Sequence, residues 1–287
     1  MLYAQETTTD SIPNDSIQYW KKGAAATINF SQVTFSNWAA GGENSYSLSG
    51  LTGMFANYKK RKTSWDNTLD IGYGIIKQEG YKVRKSDDKI DFMSKFGHNA
   101  KNRWYYSAIL NFKTQIDRGY KYESDPISKI LISDRFSPAY ITLSAGMEYK
   151  TNDGNFYILI SPVTGKTTIV TNDSLKSAGA FGVEAGQGIR HEFGGMIKTA
   201  YKKEIFENVV FQAKVDLFSN YMENPQNIDV NIETLFTMKI NKFLATSIMA
   251  QIIYDDDIMI TDAKGKTGPR TQFKEVLAIG LSYKFGD

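Results

Sequence analysis

The chain of 287 residues contains no cysteine and only two histidines. The lack of cysteine excludes disulfide bonds, thiolate chemistry and cysteine-ligated zinc sites. Long apolar runs are also absent, since no segment approaches the roughly 20 apolar residues of a membrane-spanning helix. The formal net charge is only +3, and apart from the run Lys59-Lys60-Arg61-Lys62, which is interpreted as a solvated turn, it forms no basic block. The missing apolar runs exclude helical membrane proteins. Because the chain has no extended basic block, no nucleic acid is expected as a partner.

What the chain has instead is a period-two alternation of apolar and polar residues. Trp65, Leu69, Ile71, Tyr73 and Ile75 share one parity, and small or polar residues occupy most of the other. This pattern indicates strands with different environments on their two faces. The alternation predicts twelve strands, near residues 24–36, 45–58, 63–76, 89–99, 104–117, 137–150, 155–164, 181–201, 209–219, 228–240, 244–254 and 271–285.

The connections between these strands alternate in length. The short ones are 59–62, 100–103, 151–154, 202–208 and 241–243, and the long ones are 37–44, 77–88, 118–136, 165–180, 220–227 and 255–270. Short periplasmic turns alternating with long extracellular loops are typical of outer-membrane barrels. The prediction is an all-β fold: an antiparallel transmembrane up-and-down β-barrel of about 12 strands in a bacterial outer membrane, with both termini periplasmic.

A soluble antiparallel barrel or sandwich shows the same alternation but turns its apolar face inward. Small residues opposite the apolar stripe favour the membrane, because a dry core would need large side chains there. Aromatic residues at strand ends also favour it, as in an interfacial girdle: Tyr58, Trp65, Trp104, Tyr149, Phe156, Tyr201 and Tyr283.

Residues 1–22 are predicted to be a signal-peptide remnant, cleaved after Ala4, and a flexible periplasmic leader, and residues 23–287 form the barrel. The eighth strand is the least regular. Gly194-Gly195 could form a bulge or kink that shifts its phase, whereas Gly182, Gly186 and Gly188 indicate tight curvature or the close approach of a plug or ligand.

Charges of both signs fall on the parity that faces the lumen. In an open pore they would line water and set ion selectivity, whereas in a narrow barrel they would pair into salt-bridged layers and close it. Sequence reasoning leaves both alternatives open. The predicted lumen-lining residues are Asp66, Asp70, Asp91, Lys95, Lys113, Glu148, Glu184, Lys214, Asp216, Glu233, Lys239 and Lys274.

Sites for catalysis or metals have few candidates. Asp255, Asp256 and Asp257, with Asp262 nearby, are weak candidates for a hard cation, and a solvated acidic rim is favoured because consecutive residues rarely converge on one ion. His98 is predicted on the lipid face near a periplasmic turn. His191 lies in the eighth strand without an evident serine partner. No catalytic residue, resident metal or cofactor is therefore predicted.

Two loops carry aromatic residues among charges. Tyr81, Tyr120 and Tyr122 suit binding of a glycan or protein partner, although exposed loops often have this composition. In the longer loop, Pro126 and the apolar run Ile130-Leu131-Ile132 predict a segment that folds back. It would then enter the barrel mouth or pack on a neighbouring subunit.

Four motifs carry a resemblance to a known family: Ser161-Pro162-Val163-Thr164-Gly165, Phe218-Ser219-Asn220-Tyr221, Asn227-Ile228-Asp229-Val230-Asn231 and Tyr254-Asp255-Asp256-Asp257-Ile258. Over about residues 20–285 the chain resembles a Bacteroidota outer-membrane β-barrel family labelled only as a domain of unknown function. The resemblance implies a signal peptide, an outer-membrane location and no assigned activity. It also implies an aromatic assembly signal near the C-terminus, here Phe285, which Gly286 and Asp287 follow.

The leading hypothesis is a non-enzymatic pore or channel for small polar solutes. The alternative is an accessory or scaffold subunit of an outer-membrane assembly or secretion complex, and a weaker one is an outer-membrane lipid hydrolase. The expected partners are outer-membrane lipids, the barrel-assembly machinery and other outer-membrane proteins.

Overall fold

A computed structural model describes residues 19–35, 43–122, 129–241, 243–261 and 265–286. The predicted cleavage site, most of the leader, Pro126 and Asp262 lie outside these ranges. The elements are β1 (Trp20–Val33), β2 (Ser45–Lys60), β3 (Thr63–Gln78), β4 (Arg84–Lys101), β5 (Trp104–Thr114), β6 (Gly119–Tyr122), β7 (Lys129–Ser133), β8 (Ala139–Lys150), β9 (Phe156–Ile169), α1 (Asp173–Ser177), a 3-10 turn (Ala180–Gly182), β10 (Ile189–Phe206), β11 (Val209–Asn220), β12 (Ile228–Lys239), β13 (Leu244–Tyr254), β14 (Met259–Thr261), β15 (Thr267–Pro269) and β16 (Gln272–Gly286).

Twelve of these strands form a closed antiparallel barrel. Sequential strands pair around the ring, β6–β7 and β14–β15 form separate hairpins in the loops, and β1 pairs with β16 to close the ring. The predicted twelve-stranded up-and-down barrel is confirmed. Within the described ranges, no helix has the length and hydropathy needed to cross a membrane.

Several strand boundaries differ from the prediction. β1 begins at Trp20, inside the predicted leader, and β4 begins at Arg84, inside the predicted loop 77–88. β9 continues to Ile169, while β10 runs from Ile189 to Phe206 instead of 181–201. These ends were missed because the backbone ladders continue beyond the apolar stripe. There polar residues interrupt the outward apolar stripe, as at the pair Thr167 and His191, and alternation gives a weaker signal.

A β-bulge in β9 explains the irregular phase expected around Gly194-Gly195. Ser161 pairs with Met196 and Thr164 pairs with Gly194, so β9 has one more residue than β10 between these pairs. The same happens against β8. The extra residue lies in β9, at the segment containing Pro162, and not in the glycine pair. A bulge is where a strand tolerates proline, because the ladder is already interrupted.

The outer surface of the barrel is apolar. Phe30, Leu48, Leu143, Ile197 and Leu277 are all exposed there. Aromatic residues gather at the short-turn rim, where Trp20 packs on Tyr58 and Trp65, Trp104 on Tyr149, and Tyr201 on Phe211. An apolar belt with an aromatic girdle at its edge is how a closed barrel matches a bilayer. The chain is therefore a transmembrane barrel of the outer-membrane class.

Two long loops pack together at the other rim. Leu131 of β7 contacts an apolar cluster of Val170, Leu175 and Val183, which includes α1. Ile130 and Ile132 stay exposed. Asp134 ties the loops by accepting a hydrogen bond from the Asn172 amide (2.8 Å). The loop with the Ile-Leu-Ile run thus folds back onto its neighbouring loop.

Candidate functional site: the barrel lumen

Six adjacent strands, β4, β5, β8, β9, β10 and β11, line the lumen with tightly packed side chains; this is called the packed wall below. A small apolar cluster lies within it, made by Ile109, Leu159, Met196 and Phe218, with Met93 against it. Ile109 breaks the polar parity of its strand in the sequence, and the cluster is the reason. The other buried inward side chains of the packed wall include Ser107, Asn111, Ser144, Thr164, Thr168 and Glu192.

A buried ion pair lies toward the short-turn rim of the packed wall. The Lys95 Nζ is 2.7 Å from the Glu148 Oε1, and Glu148 is 0% exposed. The Ser107 hydroxyl donates to the other carboxylate oxygen (2.6 Å), and the Lys95 ammonium lies over the Tyr157 ring. Lys150 lies 3.7 Å from Glu148 and also pairs with Asp66. A buried charge requires such pairing and hydrogen bonding to be tolerated.

Further ion pairs cross the middle of the lumen. Lys89 on β4 reaches Glu233 on β12, with Nζ and Oε2 3.5 Å apart, and these strands lie on opposite sides of the ring. Lys214 on β11 and Asp70 on β3 also lie opposite one another and are separated by 4.0 Å. Side chains therefore meet across the barrel at this level.

The remaining charges complete this central layer. Lys113 lies 3.9 Å from both Asp91 and Asp216, and Asp216 accepts a 2.6 Å hydrogen bond from Lys198. A cavity of about 50 Å³ remains between these side chains. That is room for a few water molecules. Neither alternative left open by the sequence describes this lumen fully, because the charges are paired across it but several remain accessible to water.

The predicted acidic rim divides into separate contacts. Asp255 and Asp229 both pair with Lys166, at 3.4 and 2.7 Å, and Asp257 pairs with Arg190. Carboxylate oxygens of Asp229, Asp255 and Asp257 lie within 4.8 Å of one another. Asp256 accepts a hydrogen bond from Asn227 and does not belong to this group. Two of the three consecutive aspartates, Asp255 and Asp257, thus converge with Asp229, and Lys166 and Arg190 pair with this cluster.

The other predicted lumen residues occupy varied positions. Lys274 pairs with Asp87 at 2.6 Å, and Lys239 lies exposed at the short-turn end of β12. Glu184 was wrongly assigned to a strand; it lies exposed in the loop before β10, because Gly179 and Gly182, both with positive φ, turn the chain there. The backbone of Phe285 pairs with Ala24 in the closing seam.

Sequence reasoning missed several charged lumen residues: Lys89, Lys150, Lys166, Glu192, Lys198 and Asp229. Lys89 and Lys150 lie at the ends of predicted strands, and Lys166 lies beyond the predicted end of β9. The bulge at Pro162 changes the parity of that strand, so Lys166 follows Thr164 on the inner face. Continuing the β9 alternation from Thr164 in place of Leu159 would have found it.

The two histidines lie near threonines. The Nδ1 of His98 is 3.4 Å from the Thr63 hydroxyl, and the Nδ1 of His191 is 3.0 Å from the Thr167 hydroxyl. Both histidines are exposed, and His98 shares the outward parity of Phe96. A lipid hydrolase would require a serine nucleophile and a histidine base in contact. Within the described ranges, the hydroxyl hydrogen-bonded to each histidine belongs to a threonine.

The loop tyrosines stack on cationic side chains. The Arg84 guanidinium lies 4.1 Å from the ring centres of both Tyr81 and Tyr122, and the Lys129 ammonium lies 3.9 Å from that of Tyr120. The cation–π contacts of Arg84 hold the two loops together, and that of Lys129 lies within one loop. The rings predicted to suit a glycan or protein partner thus already have neighbours within the chain.

The rest of the lumen differs from the packed wall. Residues 23–33, 45–56 and 276–282, on β1, β2 and β16, include no charged residue, and they form what is called the uncharged wall below. Its inward side chains are mostly small, and Leu51 is a large exception that is 41% exposed. At the short-turn end the lumen widens into a vestibule of about 710 Å³, lined by Lys21, Lys59, Arg61, Lys62 and Lys150 among others.

Comparisons with known proteins give a family match over part of the chain and a set of similar folds. The family described as "Protein of unknown function (DUF3078)" matches residues 30–120. No curated protein matches the sequence.

Among solved structures, the chain is similar to an outer membrane channel from Pseudomonas putida F1, at 9% identity and a TM-score of 0.40, covering 99% of this chain and 100% of that one. It is also similar to the translocator domain of the autotransporter NalP from Neisseria meningitidis (8% identity, TM-score 0.39, 94% and 90% covered). Outer membrane phospholipase A from Escherichia coli is a third (10% identity, TM-score 0.31, 95% and 94% covered). The role of this chain has to be inferred from its lumen.

Proposed function

We propose that the protein is a non-enzymatic outer-membrane channel for ions and small polar solutes, with a conductance held low by the central ion-pair layer. The observation that supports this proposal is the pairing across the ring of Lys89 with Glu233 and of Lys214 with Asp70. Lys214 is 46% exposed at its side chain, so water reaches this layer. A hydrated layer of paired charges can select by charge and size. We also propose, from the motif resemblance, a Bacteroidota origin.

The proposal is tested by recording purified protein in planar lipid bilayers. The wild-type barrel is expected to give small, discrete conductance steps. A Lys89→Ser/Glu233→Ser double variant removes one opposing pair without changing the net charge, and a several-fold larger unitary conductance is expected because the crossing side chains are gone.

A matched control is Lys176→Ser/Asp173→Ser. This variant also removes one lysine and one acid that pair with each other at 3.0 Å, but in a loop outside the lumen. Its conductance should equal that of the wild type. If the wild type and the lumen variant both insert and stay silent, the channel proposal is wrong.

The alternative role is an accessory or scaffold subunit, and the packed wall favours it because a filled half-lumen stiffens a barrel without serving transport. That role would be supported if a silent barrel co-purified with stoichiometric outer-membrane partners. The assembly machinery and outer-membrane lipids remain proposed partners in both cases.

A further inference from the structure

The seam that closes the barrel is paired over only part of its length. β1 pairs with β2 from Trp20 to Val33, but with β16 only from Gly23 to Asn29. On the other strand, the stretch from Gln272 to Ile279 pairs with β13 alone among the described residues. The seam is therefore closed at the short-turn half and unpaired at the long-loop half.

The unpaired half lies within the apolar belt of the barrel. The outward side chains beside it include Phe30 on β1 and Leu277 and Ile279 on β16, which are 61%, 68% and 58% exposed. Gln32 and Glu275 share this outward face nearer the long loops. In a hydrocarbon environment, backbone N–H and C=O groups need partners. An open strand edge at this depth needs polar atoms from another molecule or from water in the lumen.

The lumen behind the seam is the uncharged wall as far as residue 276, and the Lys274–Asp87 ion pair lies beyond it on the long-loop side. Leu51 faces this space, since a Cβ atom added to the inward Gly72 would lie 2.8 Å from the Leu51 Cδ2. Ser31 shares the inward parity of Asn29, whose amide donates to the Ser49 hydroxyl (3.3 Å). A surface of leucine, alanine, glycine and hydroxyl groups accepts a hydrocarbon chain without burying a charge.

We propose that the unpaired half of the β1–β16 seam is a lateral opening, through which the acyl chain of an outer-leaflet membrane lipid enters the lumen. The acyl chain lies along the uncharged wall, past Leu51. The ester or phosphate oxygens of the lipid stay at the seam, where they accept hydrogen bonds from the exposed strand edge. This route is separate from the axial passage of ions through the central layer and does not depend on it.

The test compares two leucines of β2 that face opposite ways with similar exposure, Leu51 at 41% and Leu48 at 45%. Each is replaced singly by photoreactive benzoylphenylalanine, and the full-length barrel is irradiated in phosphatidylethanolamine and phosphatidylglycerol vesicles. Mass spectrometry should find lipid adducts at both positions. Adducts at position 48 without adducts at position 51 would overturn the proposal, and so would a protein adduct in place of lipid at position 51.

A sealed seam shows whether the lipid enters there. Ser31→Cys and Ala278→Cys, joined by a bismaleimide, bridge the unpaired half and should reduce the adduct at position 51 at least tenfold. A disulfide between Thr27→Cys and Ser282→Cys joins residues that already pair, and it should leave that adduct unchanged. An undiminished adduct in the sealed barrel would refute lateral entry. Ion conductance should survive sealing. A wild-type barrel without conductance would therefore contradict the channel proposal and leave lateral lipid entry unaffected.

Discussion

The packed wall and the uncharged wall face each other across one lumen, but they are built from different residues. On the packed wall, Leu159 and Glu148 are both 0% exposed, whereas Leu51 on the uncharged wall is 41% exposed. Large apolar and paired charged side chains fill one side, and glycine, alanine and serine leave the other open. The difference indicates that one half of the ring supplies stability while the other half borders the open part of the lumen.

The largest expected effect comes from removing a carboxylate from the packed wall, compared with removing one from β3, which borders the uncharged wall. Glu148→Ala leaves the buried Lys95 unpaired and should lower the free energy of unfolding by about 3–5 kcal/mol. Asp70→Ala removes one partner of Lys214, in a pair 4.0 Å apart whose side chains are 43% and 46% exposed, and leaves Glu233 at 3.7 Å. It should cost less than about 1 kcal/mol. Denaturant unfolding of the lipid-reconstituted barrel measures both, and equal losses would contradict the larger contribution of the packed wall to stability.

A second comparison uses leucines in place of charges. Leu159→Ala opens a cavity in the apolar cluster and should destabilise the barrel by about 2–5 kcal/mol. Leu51→Ala removes the same atoms from an accessible surface, where little burial is lost, and should cost less than about 1 kcal/mol. The same unfolding assay applies. A loss at Leu51 as large as that at Leu159 would show that the uncharged wall is also packed.

The smallest effect is expected in the loops above the packed wall. Burial alone would raise the pKa of Asp134, but hydrogen bonds from the Arg135 N–H and the Asn172 amide, together with Arg118, hold that pKa below its usual value. A lowered pKa in the folded state means stabilisation at neutral pH that is lost as the pH falls through that value. Hydrogen-exchange protection of residues 129–135 should therefore decrease only below about pH 4.

Asp134→Asn should weaken that protection at neutral pH as well. The matched control is Asp173→Asn in the adjoining loop, because Asp173 is almost fully exposed and pairs only with Lys176. It should leave residues 129–135 unchanged. If both variants behave alike, Asp134 does not anchor the two loops.

Sequence alternation predicted the barrel well because a strand with lipid on one face must place an apolar residue at every second position. It failed at strand ends near the long loops, as at Arg84 and Thr167, because polar residues interrupt the outward apolar stripe there. It also could not foresee the packed wall. Ile109 is an apolar residue at a position where the alternation predicts a polar one. Its contact with Leu159 and Met196 from other strands explains this exception. Pairing across the ring, such as Lys89 with Glu233, depends on the shape of the closed barrel and leaves no local signal.

The bulge at Pro162 changes which residues of β9 face outward, from even-numbered to odd-numbered positions. Before it, Ile160 faces outward, and after it Val163 does so, although their numbers differ by three. A cysteine-labelling map of β9 with a lipid-soluble reagent should therefore show an odd interval in an otherwise even series. Deleting Pro162 removes the extra residue, so the count becomes uniform while Val163 still faces outward and Lys166 still faces the lumen. Straightening the bulge without a deletion would instead turn Lys166 from the lumen to the lipid. The single extra residue at the bulge thus determines whether Lys166 faces the lumen or the lipid.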